Sequence, residues 1–139
     1  LGTLGWLFTS PAMVTAQVII ALPMVIGLTQ SAIEGLDPHL RLQLRALGAS
    51  PAQIVITLMT EARGGILAAI IAAFGSIISE VGAVMLVGGN IEGQTRVLTT
   101  AIVLETRQGN FELALALGAV LLSLTFLINF GLTKLGQPR

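Results

Sequence analysis

The chain has 139 residues, of which 54% are hydrophobic and only 10% charged, and its seven basic residues balance seven acidic ones. That charge content lies far below the roughly 25% of ordinary soluble domains. With a mean hydropathy of +0.91, it excludes a small water-soluble globule and points to lipid as the solvent. The balanced charge leaves no basic stripe to follow a phosphate backbone, so no nucleic-acid partner is expected. The lack of cysteine and the single histidine, His39, exclude disulfides, thiolate metal sites, a thiol nucleophile and a histidine cluster.

Residues 1–12 hold Gly2, Gly5 and Pro11 beside Trp6 and Phe8, and read as an interfacial segment leading into a span, because the Trp ring is apolar with one polar handle. The opening Leu1-Gly2-Thr3 has no methionine and no basic flank. It does not read as a signal peptide, and the chain reads as the later, C-terminal part of a longer protein. Residues 12–29 are almost uninterruptedly apolar. Eighteen residues at about 1.5 Å each give about 27 Å, close to the hydrocarbon thickness of about 30 Å. This is the first expected span, with a kink at Pro23, where a backbone donor is missing.

Residues 30–63 gather Glu34, Asp37, His39, Arg41, Arg45, Glu61 and Arg63. Asp37-Pro38 reads as an N-cap followed by proline at the first helical position, and Gly48 as the stop of a helix over 38–47. Ser50-Pro51-Ala52-Gln53 starts a second helix, with Ser50 and Gln53 forming a capping box. Ile54, Val55 and Leu58 are its expected apolar face. The second expected span is 64–88, opened by Gly64-Gly65 and rich in small residues such as Ala68, Ala72 and Ser76, which suit close helix contact. Glu80 lies inside it, and Gly82, two residues on, marks a place where the helix bends or breaks.

Residues 89–110 form a polar re-entrant or surface segment with turn formers at Gly88-Gly89-Asn90 and Gly93, and a short helix over 97–105. Asn110 is expected to cap the third span, 111–133. Glu112 in its first turn and Lys134 near its end suit the helix dipole. The segment 30–63 carries three arginines and the tail adds Lys134 and Arg139, against Arg96 and Arg107 in 89–110. The positive-inside rule then places 30–63 and the tail in the cytoplasm and 89–110 outside. The fold expected is thus all-α and polytopic, one transmembrane domain over 1–139 with three membrane-spanning helices.

Leu47-Gly48-Ala49-Ser50-Pro51 with its following helix, and Glu61-Ala62-Arg63-Gly64-Gly65-Ile66, resemble the cytoplasmic loop signature of ABC importer permeases. In that family the loop forms a coupling helix seated in a groove of the partner ATPase. The family's Glu-Ala-Ala is replaced here by Leu42-Gln43-Leu44, and Thr60-Glu61 stands near the place of its Leu-Pro. Ser79-Glu80-Val81-Gly82-Ala83 and Gly88-Gly89-Asn90-Ile91 resemble the molybdate, sulfate and tungstate permeases. The stretches Thr95-Arg96-Val97-Leu98-Thr99-Thr100-Ala101-Ile102 and Gly109-Asn110-Phe111-Glu112 look most like the tungstate type.

The resemblance implies the C-terminal part of a molybdate-permease-type domain in a bacterial inner membrane. The implied partners are a second permease copy, ABC ATPase subunits, an extracytoplasmic oxyanion-binding protein and membrane lipid. ATP and Mg belong to the ATPase, since this chain has no phosphate loop and needs no cofactor of its own. The implied coupling residues are Gly48, Ala49, Ser50, Pro51, Gln53, Ile54, Val55 and Leu58. Ser76, Ser79, Glu80 and Gly82 are candidates for the pathway or gate, and Asn90, Thr95 and Arg96 for contact with the binding protein. Each has a plainer reading. Glu80 can instead be a packing partner bonded to a serine or backbone group. Arg96 can be a solvated loop charge. Arg41 and Arg45, four apart on one face, suit either acidic residues of the ATPase or anionic headgroups. A channel or structural membrane protein would share the apolar helices but need no capped helix or ATPase. An intramembrane enzyme would need a nucleophile with a base or metal ligands, which the spans lack.

Overall fold

The structure is a computed structural model, and it describes residues 5–136. Among these, every regular element is helical. Helix α1 runs Ser10–Glu34, α2 Pro38–Ala46, α3 Pro51–Glu61, α4 Arg63–Ser79, α5 Gly82–Gly88, α6 Leu98–Gln108 and α7 Phe111–Gly136. The expectations that rest on Leu1, Gly2 and Arg139 lie outside the described residues.

The count of spans needs correction. Two helices, α1 and α7, are continuous, apolar and long enough to cross a membrane, one towards each end of the chain. At about 1.5 Å per residue, the 25 residues of α1 reach about 37 Å. Their apolar side chains face outwards: Ile19, Ile26, Leu115, Leu122 and Phe126 each expose 60% or more of their surface. In water that would be costly; in lipid it is the favourable arrangement. The three C-terminal transmembrane helices expected from the sequence are not what the fold shows. The stretch 64–88 is divided. Helix α4 has 17 residues and stops at Ser79, Glu80 is extended (φ −73°, ψ 113°), and α5 is a separate seven-residue helix. At its other end α4 meets α3 at a 65° bend.

The break has a local cause. The Glu80 carboxylate turns back along the chain, and its Oε1 accepts the Ala83 N–H at 2.9 Å. This supplies one of the amides that the start of a helix leaves without a partner. Two residues later Gly82, with no side chain, lies beside that same oxygen. Helix α1, by contrast, passes Pro23 without interruption.

Helix α1 packs against α4 and α5, α6 against α7, and α7 against α4. The two ends of α1 are met by opposite ends of the α4–α5 pair. Near the C-terminal end of α1, Ala32 abuts Gly65 so closely that any β-carbon on Gly65 would overlap the Ala32 methyl. Near its N-terminal end, Met13 fills the space over Gly88, where an added β-carbon would lie 2.7 Å from the sulfur. The Phe8 N–H donates to the Val87 carbonyl at 2.8 Å. Helix α1 is therefore antiparallel to α4 and α5, and the small residues Ala69, Ala73 and Val84 are buried in this contact layer. Thr9 caps α1 through the Ala12 N–H, with Pro11 in the first turn. At the far end of the chain, Lys134 lies in the last turn of α7 and holds its ammonium 4.9 Å from the centre of the Phe130 ring.

Candidate functional site

The α2–α3 hairpin is built almost entirely from local signals. Asp37 caps α2 by accepting the His39 N–H at 2.8 Å. At the other end the Ala49 N–H reaches the Leu44 carbonyl and the Gly48 N–H the Arg45 carbonyl, each at 3.0 Å. This pair of bonds needs a left-handed residue between helix and turn. Gly48 provides it at φ +80°, a conformation that costs a residue with a β-carbon about 1–2 kcal/mol. Two residues later the capping box closes: Gln53 Oε1 accepts the Ser50 N–H at 2.8 Å, and Ser50 Oγ accepts the Gln53 N–H at 3.4 Å. Pro51 occupies the first helical position. The expected starts and stops of both helices are all present.

Between the two helices lies a groove of about 460 Å³. Arg41 and Arg45 of α2 form one wall, Ala49 and Pro51 the turn, and Ile54, Val55 and Leu58 of α3 the other side. A second hollow of about 240 Å³ shares Arg41 and Leu58 and runs back to the end of α1. The three apolar residues expected on one face of α3 divide between two. Ile54 and Leu58, four apart, turn inward and are buried, while Val55, about 100° round the helix, is exposed with Ile56 and Met59. Leu47, at the tip beside Gly48, is 83% exposed. Ile56 and Met59 were not singled out from the sequence, and Leu47 only as a member of the loop signature, although the helical period separates residues 55, 56 and 59 from 54 and 58.

The candidate gate residues cluster around the α4–α5 break. Ser79 Oγ donates to the Ser76 carbonyl at 2.9 Å, within its own helix. Glu80 is half-buried and engaged with the Ala83 amide. In the 89–97 segment Thr95 is buried. Its hydroxyl donates to the Gly88 carbonyl at 2.5 Å and accepts the Ile91 N–H at 2.9 Å. Thr95 thus ties the loop to the end of α5, a role that its place in a run of polar residues did not signal. Arg96 pairs with Glu92 at 3.3 Å. Its Nε and the Oδ1 of Asn90 are buried without a hydrogen-bond partner. Asn110 was expected to cap α7; its side-chain amide donates back to Glu105 Oε2 at 2.8 Å. Among the described residues no three His, Cys, Asp or Glu side chains gather where they could hold a metal ion.

Two long apolar helices, with a capped polar hairpin following the first of them, are the features of a membrane component. The chain belongs to the family of binding-protein-dependent transport system inner membrane components, which it matches over residues 1–137. That family consists of non-catalytic transport subunits. The chain is similar to a probable anion ABC transporter permease of Haloferax volcanii, with 45% identity over 93% of this chain and 58% of the relative. It is 42% identical to a tungstate uptake system permease of Campylobacter jejuni, over 97% of this chain and 56% of the relative. It is 31% identical to a molybdenum transport system permease of Azotobacter vinelandii, over 95% and 58%. With a sulfate permease also among the matches, these place the chain in the molybdate, tungstate and sulfate group of ABC permeases. The chain spans a little over half the length of these relatives. They include an archaeal as well as a bacterial protein, so the membrane setting holds while a specifically bacterial source is not carried by them. No solved structure gives a significant match.

Proposed function

We propose that this chain forms part of the permease of an ATP-driven, binding-protein-dependent oxyanion importer whose cargo is tungstate. The observation that carries the reading is the combination of 42% identity to a tungstate uptake permease with a rigid hairpin capped at Asp37, Gly48 and Ser50. In this reading α3 and the hairpin tip lie on the cytoplasmic side and dock on the ATPase, with Leu47, Val55, Ile56 and Met59 giving the apolar contact area. The 89–110 segment, at the other end of α1, faces the binding protein. A second permease copy completes the pathway, and transport proceeds by alternating access. Glu80 acts here as a structural residue that fixes the α4–α5 break. A carboxylate is in any case a poor ligand for a dianion, because like charges repel.

The test is reconstitution of the intact permease with its ATPase and binding protein in vesicles. ATP hydrolysis is measured with the binding protein loaded with tungstate, molybdate or sulfate in turn. Stimulation greatest with tungstate supports the reading. Greater stimulation by molybdate or sulfate moves the cargo within the group, and ion flux without ATP would replace the importer with a channel.

A further inference from the structure

The α2–α3 groove carries two guanidinium groups that form no ion pair among the described residues. Arg41 and Arg45 are both exposed. Among the described residues neither makes an ion pair; the pair present there joins Arg96 to Glu92. Arg41 has carboxylates at hand in the adjoining hollow, Glu34 and Asp37, and Asp37 is at the i,i+4 spacing that favours pairing. In this arrangement each uses one oxygen for a local hydrogen bond and forms no pair with Arg41. Glu34 Oε1 accepts the Gln30 amide at 2.8 Å, and Asp37 Oδ1 caps α2 through the His39 N–H. The groove's own lining holds no carboxylate: it is a concave site with Arg41 and Arg45 on one wall, and Ile54, Val55 and Leu58 on the other.

We infer that this groove receives an acidic side chain of the partner ATPase, with its carboxylate between Arg41 and Arg45 and its methylene stem against Ile54, Val55 and Leu58. The inference rests on the transport reading and adds a second contact to it. The hairpin presents α3 and its tip to the ATPase, and the ATPase in turn places a carboxylate into the hairpin. The mixed lining favours a protein side chain over a lipid headgroup. Guanidinium pairs match carboxylate geometry through parallel N–H donors, and an aliphatic stem gains from burial against the apolar wall. A headgroup phosphate would leave that wall uncovered. The charge pair also sets the register of docking, since opposite charges steer encounter and like charges suppress it.

The experiment uses the intact permease expressed with its ATPase and purified through a tag on the permease. In the Arg41→Glu/Arg45→Glu double variant, ATPase retention should fall by about tenfold or more. The Arg41→Lys/Arg45→Lys variant should retain most of it. A zero-length carbodiimide applied to the Arg45→Lys complex should join the new amine to an aspartate or glutamate of the ATPase, identified by mass spectrometry. That crosslink keeps the test decisive if the charge-reversed protein fails to insert. Full ATPase retention by a well-inserted charge-reversed variant, or no crosslink to an ATPase carboxylate, overturns the inference while leaving the transport reading intact. Retention that depends on phosphatidylglycerol in the surrounding bilayer, and is lost in phosphatidylcholine alone, assigns the arginines to lipid and also overturns it. If the unaltered permease binds no ATPase, both readings fall together.

Discussion

The α2–α3 hairpin and the layer where α1 meets α4 and α5 keep their shapes by different physics. The hairpin is held at its ends: Asp37, Gly48, Ser50 and Gln53 satisfy backbone groups close by in sequence, and only Ile54 and Leu58 are buried. The layer is held along its length by close approach, with Gly65 against Ala32 and Gly88 under Met13. Hydrophobic association is weak between helices in lipid, so packing distance and volume carry the layer, whereas bonds independent of lipid carry the hairpin. The hairpin thus leaves its surface free for a partner, and the layer tolerates almost no added volume.

Substitutions at five positions sharpen this contrast. The largest effect is expected at Gly65. Gly65→Val should cost about 1–3 kcal/mol through overpacking and lower the melting temperature of the detergent-solubilised permease. Ala32→Gly should restore part of that loss in a Gly65→Ala background. No recovery in the double variant would mean that α1 and α4 do not meet there. Gly48→Val should cost about 1–2 kcal/mol by forcing a β-branched residue into a left-handed conformation. It should reduce transport per ATP hydrolysed while leaving the melting temperature closer to the parent value than Gly65→Val does. Glu80→Ala removes the acceptor for the Ala83 amide and should cost about 1 kcal/mol. Hydrogen exchange should quicken at residues 82–84, whereas Glu80→Gln, which keeps an oxygen acceptor, should stay near the parent rate. Abolished transport with Glu80→Gln would return this residue to the pathway. Smallest is Glu92→Gln. Glu92 is 85% exposed, so losing its pair with Arg96 should change stability by less than about 0.5 kcal/mol, read from denaturant midpoints.

The same contrast decides what the sequence disclosed. Both ends of α2 and the start of α3 were legible within about a residue, because Asp37-Pro38, Gly48 and Ser50-Pro51-Gln53 act over three or four positions. The apolar runs of α1 and α7 were legible from composition, with boundaries a few residues short. The break of 64–88 into α4 and α5 falls where Gly82 marked a bend or break, but its exact place and its effect on the count of spans were not legible. Ile77-Ile78-Ser79-Glu80-Val81 contains no helix breaker, and the break depends on where one carboxylate turns. Among the site residues, Gly48, Ser50, Pro51 and Gln53 take the local roles read for them. Val55 parts from Ile54 and Leu58 because the direction of the core, which the period alone does not give, decides which face turns inward. Thr95 carried no warning, since its bond to Gly88 spans seven residues of irregular backbone.

The junction at Ala62 has a mechanical consequence. The Ala62 N–H closes α3 on the Leu58 carbonyl and the Ala62 carbonyl accepts the Ile66 N–H that opens α4, so one residue caps both helices at the 65° corner. The two arms are about 16 Å and 25 Å long at 1.5 Å per residue. An angle joint of this kind behaves as a bell crank. A rotation of the short arm about this corner would swing the tip of the long arm about one and a half times as far, and that tip lies where the helix breaks beside Glu80.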